Sequence, residues 1–463
     1  FVGTVLKKAG NDVRTLFISP GTDIPAAIKG YIDDFKPTMF CFSAVTSQYP
    51  VILQAAKEVK KLDPNLYTII GGHHASLAPD EVMGAGVFDA VCITEGEAAV
   101  LQVAKALDDG RRPAGIENLW IRRPDGTVEK NRMAKLNEDL DELPFIDRDL
   151  WVPWMMEPGT LSTIIVSRGC PYRCTYCSNH AMSKLAEGKY LRHRSFDNIL
   201  AEMREVLSRW PGITHIYFEA ETFGANLKYA LEFLARLREF NALREKPIKW
   251  GFNLNVTKKT MNNLELWAAM QAANVGYVNV GLESGSERMR KEVLRRPEHS
   301  NDDIVQFCDN ARKHNVEVYF SVLIGIPGET LADYNETVDL VRRSNPAHCY
   351  PYILFPYPGT DMFETARKMG LLDKEIDHTA ERSRAVLDLP GFSKWRIQYE
   401  FIMFHFKTRK GRWPMYQRLA YTAKNGIKLF PNVFSEIIHI GRTNMLARFL
   451  YRKLSNAPDA QSV

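Results

Sequence analysis

Residues 161–177 read LSTIIVSRGCPYRCTYC. The first seven, LSTIIVS, are β-branched and apolar and predict a strand. A glycine follows, and then three thiols, Cys170, Cys174 and Cys177, spaced C-x3-C-x2-C. Three thiolates on one short loop can ligate three irons of a [4Fe–4S] cube, and a four-cysteine site needs another thiolate, which does not lie nearby in the chain. The fourth iron would then be open to a bound molecule. Zinc is the alternative: it prefers paired C-x2-C units or added histidine. His180 lies three residues past Cys177, so a Cys3His site stays open on spacing alone.

Downstream, strand-like runs recur every 30–40 residues as THIYFEA (214–220), IKWGFNLNV (248–256), YVNVGLE (277–283), VEVYFSVLIGIPG (316–328) and HCYPYILFPYPGT (348–360). Helical patterns separate them. With LSTIIVS they make a central partial (β/α)6 barrel over 161–360, whose functional ends are the carboxyl ends of its strands. Cys170 follows the first strand, Glu219 ends the second and Glu283 ends the fourth, which is where chemistry is expected.

Upstream, 1–110 alternates too: a helix at 1–10, strand VRTLFIS (13–19), helix 25–35, strand TMFCFSAV (38–45), helix 50–62, strand YTIIGG (67–72), a loop, strand FDAVCITEG (88–96) and helix 97–108. This predicts an α/β, doubly wound Rossmann-like domain. The chain begins with Phe1 inside a helical pattern, so an opening strand is expected before it. Residues 111–160 hold a hairpin around Asp125-Gly126 and an acidic linker between domains. Seven cysteines, an odd number, argue against a disulfide framework and for a reducing, cytoplasmic setting. The four outside the loop, Cys41, Cys92, Cys308 and Cys349, read as buried small hydrophobes. Apolar content of 45% and charged content of 25% exclude collagen and disorder, and no apolar run approaches the ~18 residues of a spanning helix.

Residues 361–463 read as a mainly helical C-terminal region. From 401 to 455 there are eleven Lys or Arg and one acid, Glu436, although the whole chain carries only +5. The stretch TNMLARFLYRKL (443–454) places Met445, Leu446, Phe449 and Leu450 on one helical stripe. Such a helix can pack as a lid, cover an acidic substrate or lie peripherally on an anionic membrane. Basic and aromatic residues together also suit RNA, but no RNA module is visible, and nucleic acid is not an expected partner.

The segment SRGCPYRCTYCSN (167–179), with FEAETF (218–223), VGLESGSE (280–287), IGIPGET (324–330) and YPGT (357–360), resembles the radical S-adenosylmethionine (SAM) superfamily. The resemblance implies that Cys170, Cys174 and Cys177 hold a [4Fe–4S] cluster whose open iron is chelated by SAM. An external reductant of flavodoxin or ferredoxin type supplies one electron, and a 5′-deoxyadenosyl radical takes a hydrogen atom from substrate. It further implies SAM contacts at Tyr176, at Glu219 or Glu221 for the amino group, at Asn253 and Asn255, at Glu283 and Ser284 near the ribose, and at Ile324, Gly325 and Pro327 near adenine. Against these stand plainer readings: solvated acids at a strand end, outward-facing asparagines and turn glycines.

The runs FVGTVLKKAGNDVRTLF, CFSAVTSQ, IIGGHHASLAPDEV, FDAVCITEGE and LDELPFIDRDL resemble the cobalamin (B12)-binding domain fused to many radical SAM enzymes. The resemblance implies cobalamin contacts at Ser43, Thr46, Gly71, Gly72, His73, Glu95 and Gly96. It implies base-off binding without a protein histidine on cobalt, His73 and His74 being loop-surface or tail-contacting residues. The reaction so implied is methylation of an unactivated carbon or phosphorus centre of a small-molecule or lipid-like substrate. The alternatives are an oxidative cyclase or rearrangement enzyme acting without methyl transfer, such as a tetrapyrrole-ring cyclase, and a non-enzymatic cobalamin sensor.

Overall fold

The computed structural model describes residues 1–18, 21–154, 159–372 and 376–427. Helix α1 (Val2–Lys8) opens the chain. Helix α2 (Ile24–Phe35) starts behind Asp23, whose side chain accepts the Ala26 N–H, with proline in the first turn where no donor is missed. Strand β1 (Met39–Ser43), α3 (Tyr49–Leu62), β2 (Tyr67–Gly71), α4 (His73–Leu77), α5 (Pro79–Gly84), β3 (Ala90–Cys92) and α6 (Glu97–Asp108) follow. Strands β1, β2 and β3 are parallel. The antiparallel hairpin β4 (Leu119–Arg122) and β5 (Val128–Lys130) extends the sheet in the order β1-β2-β3-β4-β5.

Four expectations are corrected in this half. VRTLFIS (13–19) is not a strand: among the described residues it makes no ladder, and Leu16 and Ile18 instead pack beside Ile28 and Val59. The hairpin expected between domains belongs to the first sheet, where it covers a β3 edge that would otherwise present a row of unpaired amides. The loop expected after Gly72 contains α4 and α5, and His74, expected at the surface, is 1% exposed. Cys41 is exposed because β1 is an edge strand, whereas Cys92, Cys308 and Cys349 are buried.

The second half begins with β6 (Leu161–Ile165) and β7 (Ser167–Arg168), then α7 (Ser178–Ser183), β8 (Arg192–His193) and α8 (Phe196–Arg209). It continues through β9 (His215–Glu219), α9 (Leu227–Ala242), β10 (Lys249–Asn253), α10 (Leu264–Ala272), β11 (Val275–Glu283), α11 (Asn301–Lys313), β12 (Glu317–Ile324), α12 (Leu331–Ser344) and β13 (His348–Ile353). Strands β6, β9, β10, β11, β12 and β13 lie in that order, all neighbours parallel, as an open six-stranded barrel sheet. The α-helical layer is fixed by caps: Ser300 and Thr330 each form a reciprocal capping box at the start of α11 and α12. One core joins the outer face of the sheet to these helices, with Phe218, Trp250, Phe252, Phe307 and Phe320 fully buried. Gly251 sits where any Cβ would strike the Tyr277 ring, and that ring stacks on Tyr217 at 6.1 Å.

Helix α13 (Asp361–Lys368) follows the last strand. Helix α14 (Lys394–Thr408) adds Ile397, Phe401 and Phe404 to the barrel core, and α15 (Met415–Ile427) packs on α14. The amphipathic helix expected at 443–454 lies outside the described residues. Among those described, no helix is long and apolar enough to cross a membrane.

Candidate functional site

The cysteine loop springs from the carboxyl end of the first barrel strand. Gly169 turns it at φ +86°, where a Cβ would collide with the Tyr190 carbonyl, so the turn requires glycine. Thr175 then pins the loop: its hydroxyl donates to Val293 O at 2.7 Å and its carbonyl accepts the Met362 N–H at 2.9 Å. All three sulfurs are free thiols. Burial pushes Cys170 up to about 11 and Cys177 up to about 12, with only weaker opposing effects. Disulfide-free thiols grouped on one loop suit a metal cluster, whose binding releases their protons. His180, the open fourth zinc ligand, lies 3.5 Å from Asp361 instead.

One residue that sequence reading missed dominates this site. Arg296 is half-buried, and its guanidinium donates to Cys174 Sγ at 3.7 Å, to the Tyr176 hydroxyl at 3.4 Å and to Asn255 Oδ1 at 2.9 Å. Burial alone would lower its pKa, but Tyr176, Glu283 and Cys174 more than offset that. The only signal was an Arg-Arg-Pro run after the fourth strand, which has no periodicity to mark it. Glu283 faces this cation from a bulge in β11 and takes φ +64°, a strained value for a side chain that is not glycine. Burial raises its carboxyl, and Arg296 opposes the rise.

Glu219 and Glu221 sit at the end of β9. Glu219 is half-buried and its carboxyl is raised by desolvation first and by Glu221 second. Glu221 is exposed and close enough to Cys170 and Cys177 to raise both thiols. Beside them the Thr222 hydroxyl is buried without a hydrogen-bond partner. Two acids that repel each other and an orphan hydroxyl after β9 are the chemistry that a cation with donor groups, such as SAM, would satisfy.

The remaining barrel candidates are placed as follows. Asn253 accepts from the Tyr217 hydroxyl and donates to Ala220 O, and Asn255 lies just past the strand end, held by Arg296. Ser284 is fully buried, where its hydroxyl meets Thr337 and the Ser286 N–H. Ile324, Gly325 and Pro327 form the buried turn after β12. Gly325 donates its N–H to Glu329 at 2.6 Å, and a Cβ there would press on Ile397 of α14.

In the first domain the candidates gather along one edge, the carboxyl ends of β1, β2 and β3. Ser43 and Val45 are exposed there, and Thr46 is buried at the start of a short 3-10 turn. Gly72 takes φ +96°, and a Cβ on it would lie 2.6 Å from Ala44 O. Its need for glycine is therefore met by the neighbouring loop itself. Gly71 makes ordinary contact with Cys92, and Gly96 lies against the Cys92 sulfur. His73 is exposed at the start of α4. Thr94, unmarked in the sequence, takes φ +67° with its hydroxyl buried and unpartnered, while its N–H donates to Ser76 Oγ at 3.0 Å. An exposed strand end with an orphan hydroxyl fits a large polar cofactor.

The two edges face each other. Helix α4, which follows β2, packs on α7, which follows the cysteine loop. Gly359, at φ +75°, approaches Leu77 so closely that a Cβ would lie 3.2 Å from its side chain. Glu95 is held at this seam by Arg168 at 2.9 Å and Arg192 at 2.7 Å, both from the barrel half. Burial would raise its carboxyl, but the two guanidinium groups hold it below the usual range.

Comparison with known proteins agrees with this layout. Residues 164–341 match the radical SAM superfamily and residues 1–104 match the B12 binding domain. The chain joins a B12 binding domain to a radical SAM domain. This chain is 28% identical over 347 residues to an uncharacterized methyltransferase of Pyrococcus horikoshii, covering 74% of this chain and 72% of the relative. It is 24% identical over 382 residues to the anaerobic magnesium-protoporphyrin IX monomethyl ester cyclase of Rubrivivax gelatinosus, covering 80% and 66%. Its fold matches that of the cobalamin-dependent radical enzyme OxsB, solved with aqua-cobalamin and S-adenosylmethionine bound, at a TM-score of 0.69 and 16% identity over all of this chain and 72% of that one.

Proposed function

We propose that this protein methylates an unactivated carbon or phosphorus centre of a small-molecule or lipid-like substrate held between its two cofactor edges. The observation that carries the reading is the packing of α4 on α7 together with the Glu95 pairs to Arg168 and Arg192, which join the segment after β3 to the segment after the first barrel strand. Cys170, Cys174 and Cys177 hold the [4Fe–4S] cluster; Glu221, nearest the thiols, receives the SAM ammonium; Ser43, Thr46, Gly71, Gly72, His73, Glu95, Gly96 and Thr94 border the cobalamin. When bound, the cluster and SAM supply a radical that removes a hydrogen atom, and cobalamin supplies the methyl group. The chain's own work is positional. Arg296 places a fixed positive charge on Cys174 and buries Glu283 against it, Thr175 ties the loop down, and Glu95 ties the domains together so that water is kept from the space between.

The test is anaerobic incubation of the reconstituted protein with reductant, SAM and candidate substrates. S-adenosylhomocysteine and 5′-deoxyadenosine forming together support methylation. The second reading, cyclisation without methyl transfer, is favoured by the similarity to the porphyrin ester cyclase; it gives no S-adenosylhomocysteine. Glu221→Gln weakens SAM binding more than Glu219→Gln does, measured by equilibrium titration of the cluster-loaded protein. The opposite order would move the ammonium contact to Glu219.

A further inference from the structure

A second cluster of donors lies away from the cysteine loop, where the first domain meets the turn that follows the barrel. His74 projects from α4, Glu81 from α5 and His378 from the 3-10 turn His378–Ala380. One donor atom from each lies within 4.8 Å of the others. The Nε2 atoms of His74 and His378 stand 3.7 and 3.3 Å from the same oxygen, Glu81 Oε1.

We propose that His74, Glu81 and His378 form a structural site for a divalent transition metal, of the zinc class, that clamps the cobalamin-binding domain to the segment after the barrel.

Two arguments converge on it. The first is spacing. Four-coordinate zinc with bonds of about 2.0–2.1 Å separates its ligand atoms by roughly 3.3 Å; the His378 contact with Glu81 stands at 3.3 Å and the His74 contact at 3.7 Å. The His378 contact is also a long hydrogen bond, whereas His74 lies beyond hydrogen-bond reach of the carboxylate. The second is burial. The His74 side chain is 0% exposed, yet neither ring nitrogen makes a hydrogen bond, and His378 Nδ1 is likewise buried and unpartnered. An imidazole so placed leaves its polar atoms uncompensated unless a ligand takes one of them.

The surroundings hold the rings in place. The Tyr49 ring lies 4.3 Å from that of His74, tilted by 35°, and Phe355 lies 6.2 Å from His378. Two histidines and one carboxylate leave room for water as a fourth ligand, and Glu81 is the solvent-facing member through which an ion would enter. The site lies two residues past Gly72, at the base of the helix that meets α7, so an ion there would fix the cobalamin edge relative to the cluster loop.

The experiment uses the full chain with its cofactors, supplemented with zinc and then desalted. Zinc is measured by elemental analysis and its ligands by X-ray absorption at the zinc edge. The expected result is one zinc per chain with only nitrogen and oxygen neighbours at about 2.0 Å. That zinc falls to background in His378→Ala and in Glu81→Gln, the first a partly buried and the second an exposed side chain, neither part of the hydrophobic core. A chelator lowers the melting temperature of the unaltered protein and leaves that of His378→Ala unchanged. No zinc above background, zinc with sulfur neighbours at about 2.3 Å, or as much zinc in either variant as in the unaltered protein would overturn the proposal. None of these readouts depends on catalytic turnover, so they stand apart from the methylation assay.

Discussion

The cysteine loop and the first domain's strand edge are both carboxyl ends of parallel strands, yet they are built differently. The loop gathers its three donors within eight consecutive residues and needs only Gly169 and Thr175 to set its shape. The edge draws Ser43, Thr46, Gly72 and Thr94 from three strand ends, and its glycine is required by contact with Ala44 rather than by a ligand. A site on one loop tolerates strain elsewhere in the fold. A site assembled from several loops exists only while the domain and its seam are intact.

The largest effect that tests this contrast is at the loop. Cys174→Ala should reduce iron, acid-labile sulfide and 5′-deoxyadenosine formation to background while cobalamin binding, followed by its visible spectrum, stays near that of the parent. Loss of both cofactors together would erase the distinction. Next comes the edge. Gly72→Val places a branched side chain at φ +96° and against Ala44, costing about 3 kcal/mol. It should lower the first unfolding transition in calorimetry and weaken cobalamin binding, with the cluster signal retained.

The seam is expected to matter less. Glu95→Gln leaves Arg168 and Arg192 with a neutral partner and should cost about 1.5–3 kcal/mol, read as a lowered melting temperature. Because the Glu95 carboxyl sits below its ordinary value in the fold, its contribution is fully present at neutral pH, above the unfolded value. It is lost as pH falls through the folded value. The melting temperatures of parent and Glu95→Gln should therefore converge in acid; a gap that widens there would refute the assignment. The smallest effect is the control. Lys29 and Asp33 form an ion pair with both side chains at least 60% exposed, and Asp33→Asn should change stability by no more than about 0.5 kcal/mol.

Much of the site was legible because it is local. The C-x3-C-x2-C spacing, the strand that precedes it and the acids closing β9 and β11 are short-range patterns, and the six parallel strands lie where their apolar runs place them. Arg296 was not legible: its meaning comes from contact with Cys174, 122 residues away. The VRTLFIS run shows the reverse failure, since a strand-like pattern forms a strand only when a ladder partner is beside it.

Residue order alone set the thiol loop, the alternation of strands and helices and the two-domain arrangement, since these follow from side-chain period and ligand chemistry within a few residues. Folding in three dimensions decided which acid stands near the sulfurs, why Gly72 must be glycine, and that His74, Glu81 and His378 meet. Those facts rest on distances between segments as far as 297 residues apart. No local pattern encodes them, because only the packing of one domain on the other brings the groups within reach.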